Sequence, residues 1–381
     1  MKTIHHSMCE VLPPHILRNV AEHGDDETRE TMASTLQHST FIAQRRQAVA
    51  AESAEGKAPG RKQRKVFDAD HGQTLPGDLV MSERKTSTDR EAVEAFNGAG
   101  VTHDFYRKVF RRDSIDDQGA PLISTVHYGT RYANAIWDGR QMIYGDGKLF
   151  NRFTAALDVI AHELTHGVTQ HGAVLEYKGQ SGALNEHFSD VFGIMVKQFA
   201  LRLTAAQSDW IIGEGLFTKR VKGKGVRSMK APGTAYDDPI LGRDPQPAHM
   251  RNFVRTDDDH GGVHINSGIP NHAFYLAATA IGGHTWTVLG RIWYEVLTAR
   301  RGFHAQFADM VRETIGVAGE LFGSGNQVQH IVAEAWAAVG LQARIRSSAR
   351  IPIARREAAP KWRRRPAAAI NDRTSQERTN S

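Results

Sequence analysis

The chain has one cysteine, Cys9, in 381 residues, so no intrachain disulfide can form and a cross-linked scaffold is excluded. Long apolar runs are missing too. Nothing approaches the roughly 18 apolar residues that would suggest a membrane span. The first twenty residues hold His5, His6, Glu10 and the pair Pro13-Pro14 where a secretory leader needs an apolar core. A soluble protein made without a cleaved leader is expected, either exported by another route or retained in the cytoplasm. Internal repeats are absent as well.

Charge is present but unevenly placed. The formal net charge is +6. From Gln342 onward there are 11 basic residues against 3 acidic ones, while the first 341 residues carry 37 against 39. The basic character belongs to an appendage and not to the body. Such a tail is usually a solvated, disordered end, so a nucleic-acid partner is not expected.

Composition divides the chain further. Residues 1–33 suggest a small structured unit with a helix, on the apolar stripe Ile16, Leu17 and Val20. Residues 34–64 lose apolar content and gain Gln, Ala, Gly and basic residues, as an exposed and protease-sensitive linker would. From about 65 to 157 strands and turns are predicted: Leu122 to Tyr128 is β-rich, and Asp138-Gly139 reads as a hairpin turn between Ala135–Trp137 and Gln141–Tyr144. Helical periodicity dominates from Asp158 to Leu341, for example Ala183 to Leu201 and Ala273 to Ala299. The pattern predicts an α+β protein with a β-rich half, a helical half and a cleft between them.

At the start of the helical half stands His162-Glu163-Leu164-Thr165-His166. Residues i and i+4 share a helix face, so the two imidazoles can grip one ion, and neutral imidazole suits Zn²⁺. Glu163 falls beside that face, where a base can take a proton from water. A catalytic zinc usually has a third protein ligand, and Asn185-Glu186-His187-Phe188-Ser189-Asp190 offers Glu186. Asp190, one turn on, can accept the spare N–H of a zinc-bound histidine. A third cluster, Asp259 to Gly268, places His264 beside glycines that permit close approach.

These three segments resemble the thermolysin family of zinc neutral endopeptidases. Asn134-Ala135 with Trp137, Tyr144-Gly145-Asp146-Gly147 and Val226-Arg227-Ser228-Met229 match as well, in order, over about Val66 to Leu341. The resemblance implies a two-domain fold with the zinc site in the cleft, one catalytic Zn²⁺ on His162, His166 and Glu186, and Glu163 as general base. It implies that His264 and Tyr177 steady the oxyanion, that Asp259 orients His264, and that Arg227 holds a substrate carbonyl. Asn134 and Ala135 would receive an extended peptide, with Asn185 in support of the site. Phe153, Val159, Ile212 and Val226 would line an apolar pocket for a large hydrophobic residue just after the scissile bond. The stretch Cys9 to Leu17 is similar to the short propeptides of the protealysin-type precursors in the same family.

The division that follows is a propeptide over 1–50, a linker with a maturation site over 51–64, a β-rich domain over 65–157, a helical domain over 158–341 and a tail over 342–381. Pro13 and Pro14 would block the cleft sterically, or Cys9 would act as a thiolate switch on the zinc. A monomeric zymogen acting on peptides and proteins, inhibited by its own propeptide, is expected. Two other readings are a degenerate binding protein working through its basic tail and a zinc aminopeptidase. Intact motif residues weigh against the first, and the lack of an acidic anchor for a free amine weighs against the second. One departure from the family stands out. Asp158, Asp209 and Glu214 hold positions of its double calcium site, but Lys197 and Ile211 replace two carboxylates, and Lys224 lies where a second calcium site needs an acid. The double site is expected to be absent.

Overall fold

The computed structural model describes residues 9–49, 59–147, 149–299 and 304–342, with backbone alone for Cys9 and residues 43–49. The thiol of Cys9, residues 51–58 of the expected linker and the tail from Ala343 lie outside the described part, so the expectations placed on them have no structural counterpart. Six strands, β1 (Cys9–Glu10), β2 (Arg64–Asp68), β3 (Asp78–Ser82), β4 (Leu122–Val126), β5 (Ala135–Trp137) and β6 (Met142–Tyr144), form one sheet ordered β1-β5-β6-β4-β2-β3. The predicted hairpin is the β5–β6 pair, in register Ala135↔Tyr144, Ile136↔Ile143 and Trp137↔Met142. Alternation then sorts the side chains. Ala135, Trp137, Met142 and Tyr144 join the main core, whereas Ile136 and Ile143 join a second buried cluster with Tyr128, Tyr132 and Ile42.

Ile42 belongs to an N-terminal helical pair. Helix α1 (Pro14–His23) starts on Pro14, whose fixed φ suits the first turn, and buries Ile16, Leu17 and Val20. Helix α2 (Asp26–Val49) is capped by Asp25, which accepts from the Thr28 amide at 2.9 Å. Here the structure corrects the linker expectation, because residues 34–49 are helical. The inward face of α2 mixes Met32 and Ile42 with Thr28, Thr31, Thr35, His38 and Ser39, all buried, so polar positions break up its apolar period.

A second correction falls in the stretch read as strands and turns. Helix α3 (Arg90–Phe105) lies within it, capped by Asp89 on the Ala92 amide at 2.6 Å. Its buried residues include Phe96 and Phe105 beside the small Ala92, Ala95, Gly98 and Ala99, and Gly98 lies against Ile160. The helical half begins with α4 (Leu157–His171) and α5 (Gly179–Leu201), which pack on each other. Gly193 makes that approach close: a Cβ there would lie 2.7 Å from the Asp158 carbonyl oxygen. The short strands β7 (Ile211–Ile212) and β8 (Arg227–Ser228) pair antiparallel. Helices α6 (Asp259–Asn266), α7 (Gly268–Ile281), α8 (Leu289–Thr298), α9 (Phe307–Phe322) and α10 (Gln327–Ala338) complete the described chain. The helix predicted over Ala273 to Ala299 is thus two, interrupted where Gly282 and Gly283 take φ of +73° and +65°. Among the described residues no helix is long and apolar enough to cross a membrane.

Candidate active site

Helices α4 and α5 bring the three expected metal ligands together. His162 and Glu186 are fully buried and His166 is 2% exposed. Nε2 of His162 lies 3.1 Å from Nε2 of His166 and 3.4 Å from Oε2 of Glu186, and Nε2 of His166 lies 3.5 Å from Oε1 of Glu186. Two imidazole lone pairs facing each other at that distance repel unless a proton or a cation lies between them. Oε2 of Glu186 has no hydrogen-bond partner. The outer nitrogens are held: Nδ1 of His162 is 2.8 Å from Oδ1 of Asp190, and Nδ1 of His166 is 2.8 Å from Oδ1 of Asn185 and 3.0 Å from Oγ of Ser189. Each ring therefore turns Nε2 inward, and this donor set fits zinc. Burial opposes ionisation of Glu186, but His264, His166 and His162 outweigh it and hold its pKa well below the ordinary carboxylate value.

Glu163 is buried beside the triad. Its Oε2 accepts from the Trp137 amide at 2.9 Å, while Oε1 has no hydrogen-bond partner. Burial pushes its pKa up to about 8, with the charge of His162 opposing. One oxygen is anchored and the other is available for a proton. His264 sits on α6, where Asp259, His260, Gly261 and Gly262 all have positive φ. That turn folds Asp259 back so that its carboxylate takes Nδ1 of His264 at 2.6 Å and the His264 amide at 2.8 Å. Burial disfavours the charged ring, yet Glu186 and Asp259 raise its pKa to about 9. Tyr177 directs its hydroxyl to Oε1 of Glu186 and lies 3.2 Å from Nε2 of His264.

The residues expected to hold substrate are occupied by the chain's own N-terminal segment. Strand β1 pairs antiparallel with β5, Cys9 opposite Trp137 and Glu10 opposite Ile136. The Val11 amide donates to the Ala135 carbonyl at 3.1 Å, and the Leu12 amide donates to Oδ1 of Asn134 at 3.0 Å. Nη1 of Arg227 reaches the Val11 carbonyl at 3.3 Å, and Nε2 of His264 reaches the Glu10 carbonyl at 3.2 Å. Val11, Phe153, Val159, Ile212 and Val226 are each at most 1% exposed and belong to the same apolar cluster. Pro13 and Pro14 then turn the chain out of the cleft into α1: the Pro13 carbonyl accepts from the Ile16 amide at 3.0 Å. Sequence reasoning did not foresee residues 10–12 in this position, because a two-residue strand has no signal apart from its partner.

Two further charged groups lie outside the cleft. Nζ of Lys197 is 2.6 Å from Oδ2 of Asp209, 3.2 Å from Oε2 of Glu214 and 3.5 Å from Oδ2 of Asp158. The ammonium stands among the three carboxylates. The other group is Glu91, His127 and Asp146. His127 bridges Asp146 at 2.8 Å and Asp89 at 3.2 Å; its bond to Asp146 raises its pKa to about 9 against the effect of burial. The imidazolium accounts for the acidic neighbours.

A β-rich half and a helical half that enclose a His-His-Glu triad with a buried carboxylate beside it define a metallopeptidase of the thermolysin type. Residues 25–170 match the family model described as thermolysin metallopeptidase, catalytic domain, and residues 173–341 match the thermolysin metallopeptidase, alpha-helical domain; the chain belongs to this family. It is similar to an extracellular metalloprotease of Pectobacterium carotovorum subsp. carotovorum, 49% identical over 343 residues, covering 88% of this chain and 97% of that protein. Protease PrtS of Photorhabdus sp. (strain Az29) is 40% identical, covering 87% and 92%. Among solved structures, the precursor of protealysin, a metalloproteinase from Serratia proteamaculans, superposes with a TM-score of 0.80 at 47% identity, covering 87% of this chain and 99% of that one. The present chain is thus a zinc metalloendopeptidase with protealysin-like features.

Proposed function

We propose that this chain is a zymogen whose residues 10–12 inhibit its own cleft, and that the mature enzyme cleaves internal peptide bonds on the N-terminal side of large hydrophobic residues. The observation that carries the reading is the occupancy of the cleft. Ala135, Asn134, Arg227 and His264 each hold a backbone or side-chain atom of an extended segment, as an added strand would be held. The Glu10 carbonyl faces His264, so the Glu10–Val11 bond stands where a scissile bond would stand. Val11 then supplies the side chain after that bond, and its burial in an apolar cluster supports the hydrophobic preference. The chain continues on both sides of this segment, which favours internal cleavage over removal of a terminal residue.

His162, His166 and Glu186 would hold the zinc, which when bound supplies Lewis acidity to the attacking water and the substrate carbonyl. Glu163, fixed through Oε2, takes the water proton on Oε1 and delivers it to the leaving nitrogen. A charged His264, held by Asp259, donates to the oxygen on which negative charge develops. Tyr177 is the second donor expected there. Its hydroxyl is spent on Glu186 while the N-terminal segment is in place, which supports a latent state.

Maturation is proposed to cut between Val49 and Arg64, since α2 ends at the former and β2 begins at the latter. An extended cleft does not admit a helix. The Pectobacterium relative is named an extracellular metalloprotease, and secretion is the corresponding proposal for this chain. The test is to incubate the purified chain, sequence the new N-terminus and assay a blocked hydrophobic peptide with and without phenanthroline. A stable full-length chain with no chelator-sensitive hydrolysis would overturn the reading.

A further inference from the structure

Behind the zinc triad runs a line of buried polar side chains that the chemistry above does not use. Trp293 on α8 donates its indole N–H to Nε2 of His187 on α5 at 2.8 Å. An indole nitrogen can only donate, so Nε2 of His187 carries no proton. Nδ1 of His187 lies 2.8 Å from Oδ1 of Asn271 on α7, and an amide oxygen can only accept. His187 is therefore a neutral ring protonated on Nδ1.

The direction is passed on. With its oxygen committed to His187, Asn271 turns its nitrogen the other way, and Nδ2 donates to Oδ2 of Asp190 at 2.8 Å. A flipped amide would set two oxygens against each other at that distance. The same carboxylate receives Nε of Arg227 on Oδ2 at 2.9 Å and Nη2 on Oδ1 at 2.8 Å, and it faces Nδ1 of His162 at 2.8 Å. His187, Asp190 and Trp293 are fully buried, and Asn271 is 1% exposed. The series runs from an indole that can only donate to an ionised carboxylate that can only accept, so its direction is fixed at both ends.

We propose that Trp293, His187 and Asn271 form a relay of fixed polarity that positions the Asp190 carboxylate, and through it both the zinc ligand His162 and the substrate anchor Arg227. The relay rests on the roles given above to those last two residues. Its three members are positioning residues, because none of them touches substrate. Asp190 serves two clients with different duties, one metal ligand and one guanidinium, so a disturbance of the relay reaches zinc retention and substrate affinity together.

The first test needs no change to the relay. In the zinc-loaded Glu163→Ala chain labelled with ¹⁵N-histidine, long-range proton–nitrogen correlation reads the tautomer of each ring. His187, assigned by loss of its signal in His187→Gln, is expected as the Nδ1–H form. An Nε2–H form would overturn the proposal. The second test compares two substitutions in the active chain. Glutamine can accept from Trp293 and donate to Asn271, whereas leucine can do neither. His187→Leu is expected to release zinc to a chromogenic chelator roughly 10–100-fold faster, the range typical of lost outer-shell support, and to raise KM for a blocked peptide. His187→Gln is expected to stay close to wild type in both. Zinc release at the wild-type rate from a folded His187→Leu chain would sink the relay. Faster release with KM unchanged would overturn its branch to Arg227 and the anchoring role read for that residue, and would uphold the branch to His162. If the leucine variant does not fold, the tautomer measurement decides alone.

Discussion

The backbone carbonyl of Glu10 lies 3.2 Å from Nε2 of His264, so the residue that would steady a substrate's oxyanion already holds part of the same chain. The register on either side is that of an added strand, with Val11 on Ala135 and Leu12 on Asn134. On the function proposed above, latency would be competitive in kind: whatever frees residues 10–12 would free the cleft.

Replacing Glu163 with alanine should leave zinc bound and remove turnover, because Glu163 stands beside the triad and contributes no ligand atom to it. The expected loss is at least roughly 10²–10⁴-fold, the worth of positioned proton transfer. Metal content together with peptide hydrolysis checks it. Near-wild-type activity in that variant would end the mechanism.

Maturation should proceed between molecules. While residues 10–12 fill the cleft, a chain cannot present its own segment after Val49 to its own catalytic groups. The half-time of processing should shorten with rising protein concentration and with a trace of mature enzyme. Glu163→Ala alone should stay full length, yet it should be cut when mature enzyme is added. A half-time independent of concentration would show cleavage within one molecule.

Docking of the N-terminal segment should weaken as pH rises through the acid range. Burial pushes the Glu10 carboxyl up to about 7 in the cleft, with Ser39, His264 and Asn134 offsetting only part, against an ordinary value of 4.5 once released. The docked form holds the proton more tightly, so docking is strongest below pH 4.5, loses strength between 4.5 and 7, and levels off above. The full span is about 3 kcal/mol as an upper bound. Glu10→Gln should remove this dependence and slow maturation at pH 8. The ratio of variant to wild-type initial processing rates, taken at each pH at one chain concentration and without added mature enzyme, reports it; a flat ratio would rule it out.

Stability should be nearly independent of calcium, since Lys197 already lies within 3.5 Å of Asp158, Asp209 and Glu214. A calcium-selective chelator should move the melting temperature of zinc-loaded Glu163→Ala by less than about 2 °C. A fall beyond about 5 °C, about 1 kcal/mol or more for a chain this size, would mean that calcium binds. Lys197→Met should lower the melting temperature, because it leaves three carboxylates together without their counter-charge.

The metal site was legible because its chemistry is written in local spacing. His162 and His166 share a helix face, and Glu186 and Asp190 lie one turn apart on the next long helix. The hairpin at Asp138-Gly139 was legible for the same reason. Helix α2 was not, since its buried face sets Met32 and Ile42 among threonine, serine and histidine, and threonine hydroxyls return to the backbone, as Thr35 does to the Thr31 carbonyl at 2.8 Å. Helix α3 was hidden by another device: alanines and glycines fill much of its interior and dilute the apolar signal of Phe96 and Phe105. The relay from Trp293 to Asp190 joins residues about a hundred positions apart, and no periodicity connects them.

The order of the sheet has a consequence for the enzyme after processing. With β1 in place the sheet has six strands, and β5 is paired on both sides. Loss of the N-terminal segment leaves five, and the N–H and C=O groups of β5 on that side are open to any extended chain, including another copy. On the function proposed above, each substrate would replace the missing strand for one turnover, and between turnovers that border would stay open. A chain produced without residues 1–50 should self-associate more readily than the full-length form, which light scattering at matched concentration would reveal. The segment proposed to silence the enzyme would then also keep it from meeting its own kind.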